Sequence, residues 1–233
     1  MASPSYAARR ERLTEYFDRT AAETWAKLTS DAPVSGIRAT VRAGRDAMRE
    51  TLLSWLPDDL RGARILDAGC GTGALAVACA QRGANVVAID LSPTLVALAQ
   101  DRAPRDLKGG VISFRSGDML DAGLGRFDHV VAMDSLIHYQ AADIVRVLSG
   151  LAARTASSLL ITHAPRTPAL TLMHIVGRAF PRSDRAPAIE PVSEITLARG
   201  IAAEPALSGW RPGRTQRISS AFYKSQALEL VAR

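Results

Sequence analysis

Residues 64–73 read Arg-Ile-Leu-Asp-Ala-Gly-Cys-Gly-Thr-Gly. The apolar pair Ile65 and Leu66 leads to an acid, Asp67, and the chain then opens into Gly69, Gly71 and Gly73 before a helical stretch begins at Ala74. Glycines this closely spaced let the backbone turn sharply and approach a ligand with no Cβ in the way. Between a strand and a helix, they form the nucleotide-type cofactor site of a doubly wound α/β sheet. Gly69, Gly71 and Ala74 also fit the loose dinucleotide pattern G-x-G-x-x-[GA], so the cofactor must be decided elsewhere.

Three carboxylates decide it. Asp67 sits inside its strand, two residues before the first glycine, where an acid faces a cation rather than a pyrophosphate. Asp90, followed by Leu91, closes a second apolar run (84–90) at the place where an acid takes ribose hydroxyls. A third run, Val111 to Phe114, leads into Gly117-Asp118-Met119, where Asp118 is placed to accept from an adenine amine beside an apolar methionine. Any one of these acids has a plainer role as a helix or turn cap; three in succession, each after an apolar strand, do not. Such a site suits a ligand rich in donors and poor in phosphate, and S-adenosylmethionine is one. The segment from Asp67 through Gly69, Cys70 and Gly71, with Asp90-Leu91, Asp118-Met119 and the run Phe127 to Asp134 containing Met133, resembles the ordered motifs of class I methyltransferases across about residues 60–165. The resemblance implies a Rossmann-like α/β fold: a mostly parallel seven-stranded sheet with an antiparallel edge strand.

The chain has 233 residues, 47% of them hydrophobic, enough for one large domain with an appended element. Residues 1–58 read as a helical N-terminal arm or lid, and residues 59–233 as a methyltransferase core carrying an acceptor-binding insertion at 166–206. Helical spacing runs from Tyr6 to Lys27 and again from about Ser35 to Trp55. In that arm Arg42 and Arg45 have the reach to meet a cofactor carboxylate, although a solvated face is the plainer role. Strands are expected at 64–68, 84–90, 111–114, 128–133 and 158–162, joined by helices at 74–82, 92–103 and 141–153. Ser92-Pro93 supplies an N-cap with proline at the first helical position. A closing hairpin is expected between 221–224 and 228–231, and the helical centre of the insertion at 170–180. Cys70 and Cys79, nine residues apart, match no metal motif; Cys79 reads as core, and free thiols in a reducing compartment are the default. No apolar run approaches the ~20 residues that span a bilayer. The net charge of +6 falls entirely after residue 135. It fits either an anionic acceptor or an arginine-rich solvated face. Dispersed basic residues with few aromatics among them give no support to a nucleic-acid partner.

The acceptor side follows the fourth strand, at Met133-Asp134-Ser135-Leu136-Ile137-His138-Tyr139. It lacks the Asn/Asp-Pro-Pro-Tyr signature of base-amino methyltransferases. His138 stands instead near the expected methyl position, suited to orient an acceptor oxygen or manage a proton; bonding to the loop backbone is its plainer role. His129 reads as a packed strand residue, and Tyr139 as either acceptor wall or core. The fifth strand runs into His163-Ala164-Pro165-Arg166-Thr167-Pro168, then Leu170 to Gly177 with Met173, then Phe180-Pro181-Arg182-Ser183-Asp184-Arg185-Ala186-Pro187. These segments, with Tyr16-Phe17 through Trp25 and Val41-Arg42-Ala43-Gly44, resemble the magnesium-protoporphyrin IX O-methyltransferase family of bacteriochlorophyll and chlorophyll synthesis, over nearly the whole chain.

That resemblance implies transfer of the methyl of S-adenosylmethionine to one propionate of magnesium protoporphyrin IX. It casts His138 as the residue important for activity and Tyr139, His163, Arg166 and Met173 as acceptor contacts, with Leu170, Leu172 and Phe180 as an apolar wall and Arg166, Arg182 or Arg185 for the propionates. Magnesium enters only as part of the porphyrin, and no residue is assigned as its ligand. Contact with the porphyrin-binding subunit of magnesium chelatase is implied, as is a cytoplasmic protein with at most peripheral contact to the photosynthetic membrane. One departure is evident. Relatives carry a tyrosine soon after the N-terminal tryptophan where this chain has Thr29, so that tyrosine's lid role does not transfer. Two rivals remain: a quinone-type small-molecule O-methyltransferase, and a non-catalytic porphyrin carrier.

Overall fold

A computed structural model describes residues 4–18, 36–166, 188–220 and 222–233. Seven strands form one sheet in the order β3-β2-β1-β4-β5-β7-β6. Strands β1 (Arg64–Ala68), β2 (Asn85–Asp90), β3 (Val111–Ser116), β4 (Phe127–Ala132) and β5 (Thr155–His163) pair in parallel. The central ones are apolar on both faces, as strands covered by helices on both sides must be. Their connections are α3 (Ala74–Gln81), α4 (Pro93–Arg102) and α5 (Ala141–Ala152). The Ser92 hydroxyl caps α4 by accepting from the Leu95 backbone N–H.

Two apolar layers enclose the sheet. One holds Leu66, Ile89, Val130, Leu159 and Ile161 against α5; the other holds Ile65, Val86, Val131 and Leu160 against α3 and the helix α2 (Ile37–Ser54). At the opposite edge β7 (Tyr223–Ala232) runs antiparallel to β5, and β6 (Trp210–Ser220) antiparallel to β7. The closing hairpin is therefore longer than its sequence suggests. It pairs 210–220 with 223–232 instead of folding 221–224 onto 228–231. The cause is β6, an edge strand exposed along most of its length and rich in Arg, Ser and Thr, which has no apolar alternation to read. The helix of the insertion's second half, α6 (Glu194–Ala203), was likewise unexpected; it packs Leu197 and Ile201 into the core. The helix expected at 170–180, with Leu170, Leu172, Met173 and Phe180, lies outside the described residues, as do Arg182, Arg185, Trp25 and Thr29.

Two helices of the arm are described, and they have different attachments. Helix α1 (Pro4–Tyr16) is tied to the core at four places: Ser5 Oγ donates to Asp143, Arg9 pairs with Glu190, and Tyr6 and Arg10 both reach Asp118. Just beyond it, Asp18 accepts from the Thr94 hydroxyl at 2.6 Å, at the start of α4. Helix α2 lies against the β6–β7 hairpin, and Gly44 permits the approach: a Cβ there would sit 2.5 Å from Tyr223 Cδ1. No described helix is long and apolar enough to cross a membrane.

Candidate active site

Ligands in open α/β sheets bind beyond the carboxyl ends of the strands. There a cavity of about 360 Å³ opens between the glycine loop, the arm and the turn after β4. Its floor is the glycine loop with Asp67 and Asp90. Its apolar shelf is Ile89, Leu91, Leu95 and Met119, and its far wall is Met133, Asp134, Ser135, His138 and Tyr139. Leu13 and Phe17 close it from the end of α1, and Arg42, Arg45, Asp46 and Arg49 line it from α2. Both signs of charge therefore line it, with Arg45 paired to Asp134 at 2.8 Å and Arg49 to Asp46 at 2.9 Å.

Asp67 is 2% exposed, and its Oδ2 has no hydrogen-bond partner among the described residues. Burial, with Asp90 nearby, raises its pKa to about 7, against a partial compensation from the Ala76 backbone N–H. A buried, half-satisfied carboxylate is costly unless a cationic ligand answers it. Asp90 has each oxygen occupied by backbone: Oδ2 accepts from Gly71 N–H at 2.8 Å and Oδ1 from Ser92 N–H at 3.0 Å. Burial pushes the Asp90 carboxyl upward too, and the Cys70 thiol, beside both acids, well up.

Gly69, Cys70, Gly71, Leu91, Met119 and Met133, the candidate cofactor contacts, all line the cavity. Asp118 does not. Its Oδ1 accepts from Tyr6 Oη at 2.7 Å and its Oδ2 from Arg10 at 2.6 Å, so the carboxylate expected at an adenine amine instead fastens the arm. The sequence placed an acid there correctly; what it did not reveal was that Tyr6 and Arg10, one helical turn apart, would claim it.

On the acceptor side His138 is buried and lines the cavity. Its Nδ1 lies 3.3 Å from the Ala188 carbonyl, to which it donates. Phe17 meets it edge-on at 6.0 Å. Tyr139 is both wall and core: it lines the cavity and stacks on Tyr6 with ring centroids 5.1 Å apart. His163, 2% exposed with Nδ1 unpartnered, and the exposed Arg166 lie at and beyond the end of β5 and do not line the cavity. Met173 lies outside the described residues. His129 is half-buried, its Nδ1 2.8 Å from Ser158 Oγ, the packed strand residue expected of it.

Sequence reasoning passed over Asp134. It adopts φ +53°, and its buried carboxylate accepts from Arg45 at 2.8 Å, Tyr223 Oη at 3.0 Å, Ser225 Oγ at 3.2 Å and Thr162 Oγ1 at 3.2 Å. This hub joins α2, β5 and β7 to the turn that carries His138. An Asp followed by a polar turn after a buried strand is the one sequence signal for it.

The sheet order, the glycine loop and the acid-floored cavity define a class I S-adenosylmethionine-dependent methyltransferase, and a methyltransferase-domain model matches residues 65–157. A second model, the magnesium-protoporphyrin IX methyltransferase C-terminus, matches residues 132–232; the magnesium-protoporphyrin O-methyltransferase of Rhodobacter capsulatus is 50% identical over 96% of this chain and 97% of its own. The chain belongs to the magnesium-protoporphyrin O-methyltransferase family. Magnesium protoporphyrin IX methyltransferase from Synechocystis PCC 6803, crystallised with S-adenosylhomocysteine, superposes with a TM-score of 0.83 at 29% identity, covering 96% of this chain and 100% of that one. The ubiquinone biosynthesis O-methyltransferase of Xanthomonas euvesicatoria pv. vesicatoria (strain 85-10) is 35% identical, but over only 52% of either chain.

Proposed function

We propose that the protein transfers the methyl group of S-adenosylmethionine to a propionate carboxylate of magnesium protoporphyrin IX, giving the monomethyl ester, in bacteriochlorophyll synthesis. The observation that carries this reading is the 50% identity running from arm to closing hairpin, acceptor half included. Likeness to the quinone-type enzyme covers half the chain. A carrier without chemistry has no use for a buried carboxylate with one oxygen unanswered.

S-adenosylmethionine supplies a methyl on a positively charged sulfur. Asp67 takes the cationic amino-acid end, Asp90 the ribose hydroxyls, and Leu91 and Met119 the flat base. A carboxylate acceptor, with a pKa near ~4.3, is already ionised at neutral pH. No general base is needed to make it a nucleophile. What the chain must do is strip water from a weak oxygen nucleophile and hold it in line, within roughly 3 Å of the reacting carbon. His138 serves as that positioner: its ring is held by the Ala188 carbonyl on one side and Phe17 on another. The arm, residues 1–58, acts as the lid that excludes water, with α1 held by Asp118 and α2 by Asp134. His163, Arg166 and Met173 are assigned to the porphyrin beyond the cavity. On this reading the protein works in the cytoplasm with at most peripheral contact to the photosynthetic membrane, and the porphyrin-binding subunit of magnesium chelatase is its candidate partner. Incubation with magnesium protoporphyrin and S-adenosylmethionine labelled at the methyl tests it: label recovered in a porphyrin monomethyl ester supports the reading, and an unlabelled porphyrin pool beside an active cofactor site refutes it.

A further inference from the structure

Residues 188–192 form a crosspiece between the turn that carries His138 and the end of β5. Glu190 precedes Pro191, a position that favours extended backbone over helix, so the segment can run from one to the other. At one end the Glu190 N–H donates to the Ile137 carbonyl at 2.9 Å. At the other the Val192 N–H donates to the Ala164 carbonyl at 2.8 Å, and the Val192 carbonyl accepts from the Arg166 N–H at 3.1 Å. Two residues before Glu190, the Ala188 carbonyl accepts from His138 Nδ1. At 3.3 Å this is a long hydrogen bond, and it orients the ring only as well as the carbonyl itself is held.

Ala188 and Ile189 are exposed, so packing does little to hold that end of the crosspiece. Glu190 supplies a side-chain tie there. Arg9 Nη2 of α1 donates to Glu190 Oε1 at 2.8 Å, and the two side chains are only 17% and 24% exposed. A pair so covered is screened by salt less than one at the open surface. Arg9 makes a firm anchor because its neighbours fix the helix: Tyr6 and Arg10 hold Asp118, and Ser5 holds Asp143. The same stretch of the arm meets the turn directly, with Tyr6 stacked on Tyr139 and Phe17 edge-on to the His138 ring. Neither Arg9 nor Glu190 lines the cavity.

We infer that Glu190, paired with Arg9, is a positioning residue for methyl transfer: the pair fixes the crosspiece, and the Ala188 carbonyl on that crosspiece sets the orientation of the His138 ring. The inference rests on the role proposed above for His138. Both charges act through that ring and touch no reacting atom, so removing them costs no more turnover than removing His138 itself. The docked arm thereby aligns the acceptor side of the site as well as covering it.

Glu190→Ala and Arg9→Met test the inference, since each removes one half of the pair and leaves the backbone bonds of the crosspiece in place. Each should lower kcat for magnesium protoporphyrin about fivefold, the size of loss expected from a misdirected positioner. KM for the porphyrin and calorimetric affinity for S-adenosylhomocysteine should stay within about threefold of wild type. In a His138→Ala background neither substitution should lower kcat by a further twofold, because residues acting through one another do not add. A second readout needs no turnover. The chain has four histidines, so with isotope-labelled histidine the His138 Nδ1 proton is assigned by its loss in His138→Ala. Its exchange with solvent should be at least threefold faster in both variants. A kcat within twofold of wild type overturns the inference. So does a fivefold loss that recurs in the His138→Ala background, a loss that merely tracks a lowered melting temperature, or an unchanged exchange rate. Wild-type protein that binds S-adenosylhomocysteine but never methylates the porphyrin would sink the proposed function, and the exchange measurement would still decide whether the pair holds the ring.

Discussion

Replacing Asp67 with asparagine should make the empty protein more stable and its cofactor binding far worse. The carboxyl titrates near 7 in the folded chain, against an ordinary value of 3.8. A displacement of that size corresponds to roughly 4 kcal/mol between the two protonation states, at ~1.4 kcal/mol per pH unit. The sign follows from proton counts. Between pH 4 and pH 7 the native state holds a proton that the unfolded chain has released, so the stability of the ligand-free protein falls as pH rises through that window. Asparagine keeps the shape and never ionises, so D67N should abolish this fall and melt above the wild type at pH 8. A cationic ligand reverses the preference of the wild-type carboxyl by drawing the proton off. Wild-type affinity for S-adenosylhomocysteine should therefore rise with pH up to about 7 and then level, with proton release detectable by calorimetry in buffers of different ionisation enthalpy. D67N should bind at least a hundredfold more weakly, with no such release. A wild-type melting temperature independent of pH between 4 and 7, or tight binding by D67N, would refute the reasoning that burial leaves this carboxylate waiting for a cation.

Three further outcomes follow from other parts of the site. His138→Ala should lower kcat at least tenfold while calorimetric binding of S-adenosylhomocysteine stays within about threefold; near wild-type turnover would remove the positioner. Tyr6→Phe combined with Arg10→Met should free α1 from Asp118, increasing protease cleavage near residue 18 and weakening cofactor binding by roughly threefold, as expected of a partly exposed ion pair and one hydrogen bond. Unchanged cleavage would mean that the arm is held elsewhere. Gly44→Ala should destabilise the fold by about 1–3 kcal/mol through collision with Tyr223, read as a lower melting temperature. Gly71→Ala meets no atom within 4 Å among the described residues and differs from it in carrying backbone strain at φ +53° instead.

The five parallel strands were legible because central strands covered on both faces read as continuous apolar runs, and the glycine loop marked where β1 gives way to a helix. The cavity floor and part of its apolar shelf were legible for the same reason, since Asp67, Asp90 and Met119 sit at fixed offsets from those strand ends. What sequence could not convey was which side chains from distant elements converge. Asp118 reads as a strand-end acid whether it faces an adenine or Arg10, and only the docking of α1 decides. Arg45 reads as a surface residue of an amphipathic helix until α2 slides over Gly44 to bring it to Asp134. Strand β6 was missed because an exposed edge needs no apolar face, and Pro212 within it suits such an edge.

The most direct test of the account is the methyl-transfer reaction itself, with purified protein, magnesium protoporphyrin IX and methyl-labelled S-adenosylmethionine. The expected product is one labelled methyl per porphyrin, released by mild alkaline hydrolysis as an ester and lost in D67N. Label that appears on a quinone phenol but never on the porphyrin, or cofactor and porphyrin both bound with no transfer, would contradict it.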